Sequence, residues 1–295
     1  MRLVLLGVRG STAAPGEEFT RYGGHTSCVA VLGDDERTPH LILDAGTGLR
    51  ELPSLLGGGP FRGDVVLTHL HWDHVQGLPF CPAVDRPDAR VTLHVPGSWD
   101  ARSGEAEARR LLACGMSPPH FPIGPEGLRG SWRFHPARPG VTQLPGGASV
   151  TLARIAHKGG VALGVRVDLD GAAVAYLPDH ALHGSPPDRA TQDLVRGVDV
   201  LLHDGQFLAS EQATAVAYGH ATIEAALALS DACGVGRLLL VHHAPGRTDA
   251  ELDALAARFT RTPGGLLVTF ARQGAVVDVE ADLADARVRP AGGER

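Results

Sequence analysis

The chain has 295 residues, 43% of them hydrophobic, enough for one large domain or two ordinary ones around a buried core. Its 27 basic residues face 33 acidic ones, a formal net charge of −6, which excludes a general electrostatic pull on nucleic acid; Lys158 is the only lysine. No segment approaches the ~20 apolar residues of a membrane span, and the start MRLVLLGV is too short for a signal-peptide core.

Short runs rich in Val, Leu and Ile, bounded by Gly, Asp or Pro, predict strands at 3–6, 28–32, 41–43 and 65–67. A helix-like apolar spacing occupies 47–56. Residues 82–148 are less regular and read as an insertion or lid. Within them GEAEARRLLACGM predicts an amphipathic helix and the Pro-rich SPPHFPIGP a loop. A second strand series is predicted at 149–155, 163–167, 173–177, 198–202 and 237–241. TIEAALALSDACGV and TDAELDALAARFT predict helices; in the second, Thr248 is the expected N-cap and Glu251 the partner that closes a capping box. No linker divides the chain, so one domain over 1–295 is expected. Strands with interspersed helices, repeated in both halves, predict two sheets packed face to face with helices outside. Cys28, Cys81, Cys114 and Cys233 form no CxxC pair, which argues for free buried thiols rather than a zinc ribbon. A soluble cytoplasmic protein is the simplest expectation.

The stretch VVLTHLHWDHVQGLPF places His69, His71, Asp73 and His74 directly after an apolar strand. In an extended chain residues two apart point the same way, so His69 and His71 reach one ion together. A helical turn beginning near Trp72 swings Asp73 and His74 toward a neighbouring point. Imidazole and carboxylate suit zinc, and also manganese or iron. A surface turn with chance histidines is the plain alternative, but other strand ends repeat the pattern: His157 follows 149–155, Asp179 follows 173–177, and His242 and His243 follow 237–241. Two divalent ions are the expected cofactors.

The ordered set HxHxDH, His157, Asp179 and His242 resembles the metallo-β-lactamase superfamily, from LLGVRGS through LILDAGTGL to LVHHAP. The resemblance implies an α+β fold, an αββα sandwich of two mixed sheets with a dinuclear site at one edge. It implies that His69, His71 and His157 hold one ion, that Asp73, His74 and His242 hold the other, and that Asp179 bridges them. His242 is preferred to His243 because it directly follows the strand.

Aspartate at 179 resembles the phosphodiesterase side of the superfamily. VDVLLHDGQF and YGHATIEAALAL resemble two segments of its RNase Z-like branch, with Asp204 in place of a glutamate and His220 matching a histidine that acts on the leaving group. His203 reads as structural support. The expected catalytic set is His220, Asp204 and Asp73. YGGHTSCV resembles a bacterial group that usually has asparagine where His25 stands, and His25 and Phe121 are the weak substrate-contact candidates, Phe121 through stacking on a base. The stretch between His157 and Asp179 holds a short predicted hairpin and no basic arm. With the acidic net charge, this favours a small or cyclic nucleotide-type phosphodiester over a nucleic acid polymer. The expected chemistry is attack by a hydroxide shared between the ions, with His220 protonating the departing oxygen. The alternatives are an RNase Z-like RNA 3′-end endonuclease and a lactone or thioester hydrolase on the same metals. The resemblance also suggests a homodimer.

Overall fold

The computed structural model describes residues 1–34, 36–97, 104–182 and 188–279. The apolar runs become strands that are buried on both faces, which is why they read as continuous hydrophobic stretches rather than alternating ones. In chain order the strands are β1 (Arg2–Gly7), β2 (Cys28–Leu32), β3 (Leu41–Leu43), β4 (Arg62–Val66), β5 (Arg90–Pro96), the more exposed β6 (Ser131–Ala137) and the exposed β7 (Gly140–Gln143). They continue as β8 (Ser149–Ile155), β9 (Ala162–Leu169), β10 (Ala172–Leu177), β11 (Val200–Asp204), β12 (Arg237–Val241), β13 (Leu267–Phe270) and β14 (Val276–Asp278). One seven-stranded sheet has the order β14-β1-β2-β3-β4-β5-β6, and the second has β13-β12-β11-β10-β9-β8-β7.

Leu3, Leu5, Val29, Val31 and Val66 of the first sheet meet Val165, Val174, Tyr176, Leu202 and Leu239 of the second in the central core. The opposite faces are covered by helices: α1 (Leu52–Leu55), α2 (Trp72–Val75) and α3 (Glu105–Ala113) belong to the first half. The second half carries α4 (Arg189–Val195), α5 (Gln212–Tyr218), α6 (Ile223–Ala232) and α7 (Asp249–Arg258). The result is the four-layer αββα sandwich, with mixed sheets. The α7 capping box forms as expected: Thr248 Oγ1 accepts from the Glu251 amide at 3.3 Å, and Glu251 Oε2 accepts from the Thr248 amide at 2.7 Å. No helix among the described residues is long and apolar enough to cross a membrane. Three of the cysteines are buried and free; Cys114 is exposed, contrary to expectation.

The reading of 82–148 as irregular is corrected by β5, β6 and β7; residues 98–103 within it lie outside the described set. In β5, Val91, Leu93 and Val95 pack into the outer core while Arg90, Thr92 and His94 take the other face. β6 is an edge strand, where Pro136 costs no ladder hydrogen bond on the open side. Polar inner faces and an edge proline hid these strands from a search for solid apolar runs.

The topology also gathers loops. β3, β4, β5 and β6 are mutually parallel, as are β10, β11, β12 and β13. Parallel neighbours bring their carboxyl ends to one edge, the place where ligand-carrying loops collect in such sheets.

Candidate metal centre

Beyond β4 the backbone stays extended through His71, the N-cap of α2 with φ −64° and ψ 151°. His69 and His71 therefore lie together, ring centroids 4.4 Å apart. The single turn of α2 then carries Asp73 and His74 inward, both buried, and leaves Trp72 75% exposed. The His74 ring comes within 4.1 Å of the His69 ring, centroid to centroid.

The second sheet closes the cluster from the other side. His157 Nε2 lies 3.3 Å from His71 Nδ1 and 3.6 Å from Asp179 Oδ1. The other Asp179 oxygen, Oδ2, lies 3.0 Å from His74 Nε2 and 3.2 Å from His242 Nε2. His242 Nε2 also stands 3.1 Å from Asp73 Oδ2. The donor atoms of His69, His71 and His157 lie within 4.8 Å of one another, and so do those of Asp73, His74 and His242. Asp179 faces both trios.

The donor set fits divalent cations. His69 Nε2, His74 Nε2 and Asp179 Oδ2 are buried without a hydrogen-bond partner; His74 Nε2 and Asp179 Oδ2 are close, but not in hydrogen-bond alignment. Each such orphan costs roughly 1–3 kcal/mol unless a cation takes its lone pair. Burial and the neighbouring His74 drive His69 well below the ordinary imidazole range, and burial lowers His71 and His157, so these rings present neutral lone pairs. Burial alone would favour the protonated acids of Asp73 and Asp179. The surrounding imidazoles, led by His74 for Asp73 and His242 for Asp179, reverse this and hold both as carboxylates.

The Beta-lactamase superfamily domain family matches residues 40–243, most of the chain and all the ligand-type residues above. The chain belongs to the metallo-β-lactamase superfamily. It is similar to ribonuclease BN of Escherichia coli K12, 24% identical over 282 residues, covering 82% of this chain and 88% of that one. It is 33% identical over 101 residues to ribonuclease Z of an Exiguobacterium strain; that match spans only about a third of either protein, 34% of this chain and 32% of the other. The metallo-β-lactamase fold protein YhfI from Bacillus subtilis superposes with a TM-score of 0.66 at 17% identity, covering 94% of this chain and 99% of that one.

A supporting layer fixes the candidate ligands. Asp44, wholly buried at the end of β3, accepts from His74 Nδ1 at 2.7 Å, from the Thr68 amide at 2.7 Å and from Thr68 Oγ1 at 2.9 Å. A carboxylate can only accept, so Nδ1 of His74 carries a proton, and Nε2 is the nitrogen turned to the cluster. Gln206 Oε1 holds His242 Nδ1 at 3.0 Å, the Gly219 carbonyl holds His157 Nδ1 at 2.7 Å, and the Ser11 amide donates to Asp73 Oδ2 at 2.8 Å. Ser11, Asp44 and His242 adopt φ of 60°, 59° and 56°, backbone strain concentrated at the cluster. Gly10 packs so closely on His242 that a Cβ there would lie 2.4 Å from Nδ1. Asp44 and Gln206, which hold two of the candidate ligands, are absent from the sequence-based site. Asp44 carried a usable signal, a carboxylate immediately after an apolar strand; Gln206 carried none.

His220 Nδ1 lies 2.8 Å from Asp204 Oδ2 and 3.7 Å from Asp179 Oδ1. Asp204 is fully buried and its other oxygen accepts from the Gln206 amide at 3.0 Å. Burial would lower His220, but Asp204, by charge and hydrogen bond, outweighs it, so the ring is held above the ordinary imidazole range. His203 is buried behind this pair, its Nε2 2.9 Å from His180 Nδ1. His157, Asp179 and His220 open onto a cavity of about 730 Å³ that Trp72, Phe207 and Tyr218 rim.

The structure does not place His25 or Phe121 at this cavity. His25 Nδ1 pairs with Thr47 Oγ1 at 3.2 Å and lines a separate shallow pocket near the N-terminus. Phe121 packs edge-on against Phe80, ring centroids 5.7 Å apart, in a neighbouring apolar cavity. Both expectations rested on sequence position alone, which does not tell where a loop side chain points. His243 turns away from the cluster, its Nε2 donating to the Ala271 carbonyl at 2.8 Å.

Proposed function

We propose that the chain is a metal-dependent phosphodiesterase for small or cyclic nucleotide-type substrates. The supporting observation is the His220–Asp204 pair beside the ligand cluster. His69, His71 and His157 would hold one divalent ion, proposed as zinc, and Asp73, His74 and His242 a second, with Asp179 between them. Bound there, the ions would lower the pKa of water and neutralise phosphoryl charge. Asp204 orients His220 through Nδ1 and keeps the ring protonated, leaving Nε2 as the nitrogen that delivers a proton to the departing oxygen. Asp204 itself is fixed by backbone amides of Gln206 and Ala221, so the pair is rigid before substrate arrives.

A ribonuclease reading is favoured by the names of the two sequence relatives. Two features support a smaller substrate. Among the described residues no Arg or Lys lines the cavity, where a polyanion would need basic partners. β9 and β10 are joined by a tight turn at Asp170 and Gly171, with no arm between them.

The test compares leaving groups in the metal-loaded protein. His220→Ala should slow hydrolysis of a cyclic or alkyl phosphodiester by roughly 10²–10⁴-fold. The loss should be much smaller for a 4-nitrophenyl ester, whose leaving group departs as an anion. Equal losses on both, or none on either, would remove His220 from the leaving-group role.

A further inference from the structure

Beside the metal cavity lies a second cavity of about 360 Å³, and Leu70 and Trp72 form a wall common to both. Phe80, Leu112, Met116 and Phe121 are among its other lining residues. The HxHxDH turn sets the geometry: with Asp73 and His74 pointing inward, residue 72 must point out. A polar side chain would suit that exposed place, yet it holds a tryptophan at 75% exposure. Phe80, which also lines the cavity, is 63% exposed. Two large aromatic rings left in water around one concavity form the kind of apolar surface that marks a binding site.

The cavity shares Leu70 and Trp72 with the metal cavity, so the two lie side by side and a substituent seated in one can belong to a molecule whose reacting atoms sit in the other. Its polar side chains are few, Gln76 and His120 with the Trp72 indole nitrogen. A nucleobase edge would leave donors or acceptors unpaired among these walls, whereas a phenyl ring or branched alkyl group would not. The edge-on pair of Phe80 and Phe121 and the broad face of Trp72 suit a flat ring.

We propose that this cavity is the specificity pocket of the metal centre. It takes an apolar aromatic or branched-alkyl substituent of the substrate, and Trp72 and Phe80 select it. The proposal rests on the phosphodiester reading for the bond that is cleaved and narrows its substrate from nucleotide-type esters to small esters that carry an apolar substituent.

The test uses the zinc-loaded full chain and two non-hydrolysable anions, phenylphosphonate and methylphosphonate, with binding followed by titration calorimetry. The parent should bind phenylphosphonate about tenfold or more tightly than methylphosphonate. Trp72→Ala and Phe80→Ala should bring that ratio close to one, with bound zinc unchanged, while Trp72→Phe should keep most of it. A parent ratio near one, or variants that retain the parent ratio, would overturn the proposal. If sedimentation shows a parent dimer that either alanine variant splits while the ratio persists, the patch is a contact between copies of the chain and the proposal is again overturned. A normal phenyl preference with no phosphodiester turnover would leave the pocket standing and defeat the reaction assignment, so the two failures are distinguishable.

Discussion

Replacing Asp44 with asparagine changes one atom of the supporting layer and should cost the metal centre far more than the fold. One Asp44 oxygen accepts from the Thr68 amide at 2.7 Å and the other from His74 Nδ1 at 2.7 Å. An asparagine has one carbonyl and one amino group, so either orientation sets a donor against a donor. If the amino group faces His74, the ring must move its proton to Nε2, the atom that faces the ligand cluster. If it faces Thr68, a buried amide loses its acceptor. Either outcome is worth roughly 1–3 kcal/mol. That range agrees with the 10–100-fold loss of metal affinity typical when a partner of a ligating histidine is removed. The backbone is not the cause, because asparagine tolerates the positive φ at this position. Competition against a chromophoric chelator reads the affinity, and thermal unfolding of the metal-free protein separates it from stability. A variant that binds zinc as tightly as the parent, with a folded spectrum, would refute the role of Asp44 in fixing His74.

Gly10→Ala should push the His242 ring off Gln206 and Asp73, since the new methyl would sit 2.4 Å from Nδ1. Roughly tenfold or greater weakening of metal binding is expected in the same competition assay, and unchanged binding would contradict the packing. Zinc at a hundred times its dissociation constant should add about 2.7 kcal/mol to folding stability and raise the melting temperature by several degrees, an effect EDTA reverses; a melting curve indifferent to zinc would oppose a preformed centre. His203 is fully buried and held below the ordinary imidazole range by that burial. With its folded pKa depressed, its neutral ring contributes fully above about pH 6.5 and loses that contribution as the pH falls, by up to about 1.4 kcal/mol per pH unit. His203→Gln should flatten that part of the acid-unfolding curve, and an unchanged slope would show that His203 does not titrate as described.

The ligand-type residues were readable because each follows an apolar run, and a strand end is where a buried chain first releases side chains into a loop. His69, His157, Asp179 and His242 all have that position, and parallel neighbours carry those ends to one edge. The choice between His242 and His243 became geometric only with the fold, since adjacent residues point in opposite directions. Asp44 obeyed the same strand-end rule as Asp179, but only the packing of β3 beside β4 shows that it serves His74. Gln206 depends on contacts across the sandwich, which no local spacing encodes. β5 and β6 were obscured by polar inner faces, and the side chains of His25 and Phe121 point into other pockets, away from the ligand cluster.

The most direct measurement is turnover by the zinc-loaded chain of a panel of 2′,3′- and 3′,5′-cyclic nucleotides, aryl phosphodiesters, precursor tRNA and lactones, with bound metal counted in the same sample. Two metal ions per chain and hydrolysis confined to the small phosphodiesters are expected. Two bound metals with no phosphodiester turned over, or faster turnover of lactones or precursor tRNA, would contradict this expectation.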